Sequence, residues 1–292
     1  MRKYWVIFLT FLSENLQFRG ELFLWIFYDA LNTFTFLVIW AGIYSGGQSF
    51  GGFSLAQMMQ YYVAVFLVEN ITQTRFENGW ISVIRNGYLD MLLTKPFPIF
   101  GYMITQELSK KMLSFILALP FILGFSLCIP FFSFPKTFAL VMYTVAFFMG
   151  SFFFNSFLSI IIATCAFWFD EAKGIGHFIS ILQSLFGGFL LPLVLLPSFL
   201  QRIALRLPFQ HTVQTPAFLL SGRIQSTDAL LSAFIVLISS TVFLYFFASF
   251  LWKKGIRTYT SAGGYTCENI STLYIEFFLF HFSNSCTTVQ IF

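Results

Sequence analysis

The chain has 292 residues, of which 58% are hydrophobic, 21% aromatic and 10% charged, and its mean hydropathy is +0.79. Soluble domains carry roughly 25% charged residues, so this composition leaves too little polar surface for a water-soluble globule and predicts an integral membrane protein. The net charge of +4 is small and spread along the chain, which argues against the basic stripe of a nucleic-acid binder.

The first residues, "MRKYWVIFLTFLSENLQFRGE", start basic and turn apolar, as a signal peptide does. The apolar part is short and no small-residue cleavage site follows, so the segment is expected to be retained. Arg2, Lys3, Glu14, Arg19 and Glu21 interrupt an aromatic-rich helix. That pattern predicts an amphipathic helix lying in the headgroup layer. A membrane crossing here would leave a charged hairpin at residues 19–21 with almost no loop.

Six segments then approach the roughly 20 apolar residues a bilayer requires. The first, 22–44, ends at the glycine-rich "SGGQSFGG". The second, 55–73, is the weakest, because Gln57, Gln60, Glu69 and Asn70 interrupt it. The third is 112–132. The fourth, 138–169, is longer than a bilayer needs, so its end is expected to project. The fifth, 178–196, is loosened by Gly187, Gly188 and Pro192, and the sixth, 229–252, precedes "KKGIR".

Three connecting stretches carry more pattern than ordinary loops. "FENGWISVIRNGYLDMLLTKP", 76–96, places Ile81, Ile84, Tyr88, Met91 and Leu92 at helical spacing among four charges. It predicts an amphipathic helix over 76–95, with Gly79 and Gly87 giving sharp entry and exit and Pro96 setting its end. "LPSFLQRIALRLPFQHTVQTPAFLLSG", 196–222, is too broken by proline to cross a membrane. It predicts two short helical pieces on, or dipping into, the outer leaflet as a cap, with backbone buried in protein or facing a wet cavity. Residues 265–292, "YTCENISTLYIEFFLFHFSNSCTTVQIF", admit a seventh hydrophobic segment, a surface helix or the product of an altered reading frame.

With the N-terminus inside, twelve of the 16 lysines and arginines flank the spans on the inner side, and only Lys136, Arg202, Arg206 and Arg223 fall outside. The positive-inside bias therefore predicts cytoplasmic termini and puts 76–96 on the cytoplasmic face.

Motifs of chemistry are missing from the sequence. His177, His211 and His281 lie far apart, and there is no H-E-x-x-H, no G-x-S-x-G elbow and no Walker glycine loop. Cys128, Cys165, Cys267 and Cys286 form no C-x-x-C pair. No catalytic, cofactor-binding or metal-binding residue is expected. Polar residues inside spans are functional candidates by default: Asp29, Glu69, Asn70, Asn155 and Gln183, as pathway or inner-gate groups or as packing residues. In the cap, Arg202, Arg206 and His211 are candidates for headgroup phosphate.

Three segments resemble six-span permeases of the ABC-2 type, in the branch with paired permeases and a separate ATPase. "IRNGYLDMLLTKP" is similar to the segment after the family's second span, at Ile84, Arg85, Gly87, Leu89, Asp90, Leu92, Leu93, Lys95 and Pro96. "LPFQHTVQTPAFLLSG" resembles the outer loop before the sixth span, and "FLWKKGIRTYTSAGG" the family's ending. The resemblance implies one permease domain over 1–264, with 265–292 departing from it. It implies an all-α membrane protein: an interfacial N-terminal helix, six transmembrane helices and a broken outer-leaflet helical cap between the fifth and sixth.

It also implies a bacterial inner-membrane export permease, not itself an enzyme, that forms half of a substrate pathway with a second copy or a sibling permease. ATP and magnesium would belong to a cytoplasmic ABC ATPase, and the partners would be that ATPase, the other permease and membrane lipid, with no nucleic acid. A permease without its own nucleotide site must receive force through a protein contact. Residues 76–95 then become the coupling helix, carried by Glu77, Trp80, Arg85, Gly87, Asp90 and Lys95. Two other readings stay open: an ATP-independent secondary transporter or channel using Glu69 and Asp29, and a lipid-handling membrane enzyme using the cap cations.

Overall fold

The computed structural model describes residues 2–46, 50–95, 97–128, 137–223 and 227–259. Lys136, Pro96 and the 265–292 tail therefore lie outside the described residues. Eleven α-helices run among the described residues: α1 Arg2–Gln17, α2 Arg19–Tyr44, α3 Leu55–Thr72, α4 Glu77–Arg85, α5 Leu89–Leu93, α6 Ile99–Cys128, α7 Phe138–Thr164, α8 Ala172–Phe186, α9 Ser198–Ala204, α10 Gln214–Leu220 and α11 Thr227–Thr258. Short 3-10 turns at 165–167, 193–195 and 208–211 join them.

Two helices form the axis of the bundle. α3 is ringed by α2, α6, α7 and α10, and α7 by α3, α4, α8, α10 and α11. Around them α2, α6 and α11 turn rows of Phe, Leu, Ile and Val outward, including Leu24, Phe34, Ile116, Leu123, Phe243 and Phe246. Such a continuous apolar belt is intolerable in water and suited to hydrocarbon. Among the described residues, four helices are long and apolar enough to cross a membrane: Arg19–Tyr44, Ile99–Phe125, Phe138–Phe167 and Asp228–Thr258.

The other two expected spans fall short for different reasons. α3 is polar because it faces protein on nearly all sides: Gln60 and Asn70 are both buried. It starts on a capping box, in which the Ser54 hydroxyl accepts from the Gln57 amide and the Gln57 side chain accepts from the Ser54 amide. α8 has only 15 residues, about 22 Å of helix, so the expected fifth span over 178–196 is corrected. The helix starts earlier, at Ala172, and stops at Phe186 before a non-helical stretch. The third span is also longer than expected, since α6 starts at Ile99 rather than at 112. α1 lies along these extra turns, with Phe11 edge-on to Tyr102 at 5.2 Å and Asn15 donating to the Ser109 hydroxyl at 3.1 Å.

The 196–222 segment is more broken than the two helical pieces expected of it. It holds α9, the 208–211 3-10 turn and α10, and every residue of α10 is buried against α3 and α7. Phe209 meets Phe154, halfway along α7, with ring centres 6.1 Å apart. The non-helical stretch after α8 is sealed at the same level. Tyr61 and Tyr62 of α3 donate to the carbonyls of Gly188 and Leu190. The Gln214 side chain accepts from the Leu193 amide at 2.7 Å, and the Gln214 amide donates to Gly187. Irregular backbone is tolerated at such depth only when protein satisfies it. Gly188 has φ +90°, and a Cβ there would stand 2.7 Å from the Tyr61 hydroxyl, so only glycine permits the seal.

Candidate functional site

The site is the joint at which α3 ends and the chain crosses to α4. Gln73 turns extended (ψ 121°), which strands the last carbonyls of α3 without helical partners. α7 supplies donors from one face at a four-residue interval. Asn155 donates to the Thr72 carbonyl at 2.9 Å, and the Ser159 hydroxyl donates to the Thr74 carbonyl at 3.1 Å. α8 closes the set: the Gln183 amide donates to the Asn155 side-chain oxygen at 3.0 Å and accepts from Gln73 at 3.4 Å. Asn155, Ser159, Thr72 and Thr74 are all buried. A connected buried network of this kind holds one geometry firmly, because each lost bond leaves an orphaned group.

Below the joint, α4 is wedged against α7, the 165–167 turn and α8. Trp80, 1% exposed, packs with Val83, Ile84, Met103, Ile160 and Trp252, while Ile81 packs with Ile162 and Ala172. Glu77 opens α4, where its charge would meet the positive end of the helix dipole. Burial nevertheless pushes its carboxyl above the ordinary range. Its own amide, Ser159 and Arg75 act against that rise, and Glu107 adds to it. One carboxyl oxygen is buried without a hydrogen-bond partner.

The amphipathic segment is two helices rather than one. Gly87, at φ +81°, sits after the Asn86 cap and stops α4, and α5 starts at Leu89. Gly79 lies inside α4 rather than at its entry. Of the six residues expected on the coupling helix, Glu77 and Trp80 point into the bundle and Gly87 is a buried hinge point. Arg85 and Lys95 are exposed and Asp90 is half-buried. Arg85 donates to Asp170, beyond α7, at 2.8 Å. The same surface carries Met91 at 58% and Leu93 at 43% exposure.

The intramembrane polar candidates separate into two groups. Asn155 and Gln183 meet in the joint. Asp29 of α2 and Glu69 of α3 lie within electrostatic reach of each other and of Arg75 and Lys111. Asn70 belongs to neither group, since its amide donates to the Phe66 carbonyl of its own helix. In the cap, Arg202 and Arg206 are exposed, whereas the His211 ring faces Thr215 at 3.1 Å and Gln210 at 3.3 Å. Sequence reasoning missed Tyr61, Tyr62, Gln214 and Ser159. Ser151, Asn155 and Ser159 at four-residue spacing mark a polar stripe in an apolar helix, a signal that was there to be read; the tyrosines offer no such pattern.

The fold and the joint define a polytopic helical membrane protein whose organised polar groups hold backbone segments together rather than assemble around a reacting atom. The family model described as ABC-2 family transporter protein matches residues 30–263. The chain belongs to that family and is thus a membrane component of an ABC transporter, not itself the enzyme of the system. No curated protein and no solved structure matches it.

Proposed function

We propose that this protein is an export permease of the bacterial inner membrane, with a cytoplasmic N-terminus and six crossings, in which α3 and α8 complete the four apolar helices. It forms half of a pathway with a second copy or a sibling permease. A separate cytoplasmic ATPase, which binds the ATP and magnesium, drives it through α4 and α5. The observation that carries this reading is the surface of that pair. Met91 and Leu93 stand exposed outside the apolar spans, between Arg85 and Lys95. Exposed apolar side chains rimmed by charge mark a protein contact. The opposite side of α4 is anchored by Trp80 and tied through Glu77 and the joint to α7 and α8, so a push on α4 reaches the bundle rather than being lost in a loop.

The test is the variant Arg85→Ala with Asp90→Ala. Arg85 pairs with a 94% exposed Asp170, so its loss costs about 0–1 kcal/mol of stability and the protein still inserts. Transport and stimulation of the cognate ATPase in co-reconstituted liposomes are expected to disappear. Wild-type stimulation in the inserted variant would remove α4 and α5 from the drive.

A further inference from the structure

The side of the bundle shared by α7, α11 and the 208–211 turn carries a groove of about 460 Å³. Phe154 and Leu158 form its floor, Phe209 one wall, and Ser239, Ser240 and Phe243 the other. We propose that this groove is a lipid site that takes one hydrocarbon chain of a bilayer lipid.

Position is the first argument. Ser239 and Ser240 lie near the middle of the 32-residue α11, the depth of the hydrocarbon core. The groove is continuous with the outward belt of the same helix, where Ile235, Val242, Phe243 and Phe246 are exposed. Anything entering it at that depth arrives through the bilayer. Chemistry is the second argument. Ser239 and Ser240 both donate to the Val236 carbonyl of their own helix, at 3.0 and 2.7 Å. Each hydroxyl has thereby spent its one donor hydrogen, and what the two serines contribute to the wall is small size. They are smaller than the neighbouring Ile238, Val242 and Phe243 and leave a slot beside aromatic rings. The volume lies within the range of about 300–1,000 Å³ for small-molecule sites. A ligand that needs hydrogen-bond donors finds none in these two hydroxyls, and an acyl chain needs none. One wall comes from the cap, so an occupant braces Phe209 against α11. The site does not depend on the ATPase-coupling reading and can fail without it.

The test uses the full chain in phosphatidylcholine nanodiscs doped with a phosphatidylcholine that bears a diazirine within its acyl chain, with adducts mapped by mass spectrometry. Adducts are expected to concentrate on Phe209 and residues 239–244 over Ile235 and Phe246, which are exposed on the same helix. Ser240→Trp fills the slot and is expected to lower groove labelling about tenfold, equivalent to about 1.4 kcal/mol of lost binding. Ser240→Ala preserves the space and keeps the yield. Even labelling along α11 of the unmodified protein overturns the proposal whether or not the tryptophan variant folds. So does undiminished labelling in Ser240→Trp, or a groove closed by a second copy of the chain in protein crosslinking.

Discussion

Replacing Asn155 by leucine tests whether the joint between α3 and α4 is held by its hydrogen bonds. The two side chains are close in size, so the substitution removes polarity without opening a large cavity. It takes the donor from the Thr72 carbonyl and the acceptor from the Gln183 amide. Gln183 is part-buried and already bonded to Gln73, so it can turn to that neighbour or to water. The Thr72 carbonyl has no such freedom, because Thr72 is fully buried and ends α3, the chain turning extended at Gln73. One orphaned buried carbonyl costs about 1–3 kcal/mol. At about 2 kcal/mol, a chain of this size loses roughly 3 °C in its unfolding midpoint. The assay is thermal unfolding in detergent by intrinsic fluorescence, beside the double variant Asn155→Leu with Gln183→Leu. Because both residues belong to one network, the double variant should lose less than the two single losses added together. A midpoint within about 1 °C of wild type, or strictly additive losses, would show that packing rather than hydrogen bonding sets the joint.

The other predictions concern the same core. Burial lifts the Glu77 carboxyl above its ordinary 4.5, so the folded chain holds that proton more tightly than the unfolded one. Its stabilising contribution is therefore complete below pH 4.5 and is lost as pH rises through the raised value. Glu77→Gln should match wild type at low pH and melt increasingly above it as pH rises; a difference that does not vary with pH would refute the buried-acid account. Tyr61→Phe leaves the Gly188 carbonyl without its donor and should cost about 1–3 kcal/mol, seen as faster hydrogen exchange over residues 187–193. Gly87→Ala places a Cβ on a backbone at φ +81°. It should destabilise by about 1–2 kcal/mol, with protease cleavage rising between α4 and α5 while α7 stays intact.

Much of this architecture was legible in the residues themselves. Lipid solubility is additive over side chains, so composition and hydropathy sufficed for the membrane class, and the apolar runs at 22–44, 138–169 and 229–252 foretold α2, α7 and α11. The amphipathic period of 76–95 was also visible, and so was the weakness of 55–73. What that weakness meant was not visible, because a polar helix is unstable in lipid and comfortable inside a bundle, and the choice depends on neighbours. The break inside 178–196 could be guessed from Gly187 and Gly188, but its repair by Tyr61, Tyr62 and Gln214 could not.

The site divides along the same line. Asn155 and Gln183 stood out as polar residues in apolar runs. That they meet at a carbonyl 83 residues from Asn155, and that Glu77 and Trp80 turn inward while Arg85 and Lys95 stay outside, was decided by how the helices pack. Residue type dictates which solvent a segment tolerates. Which stranded backbone group it answers depends on the spatial meeting of distant helices, and that exists only once the bundle has closed.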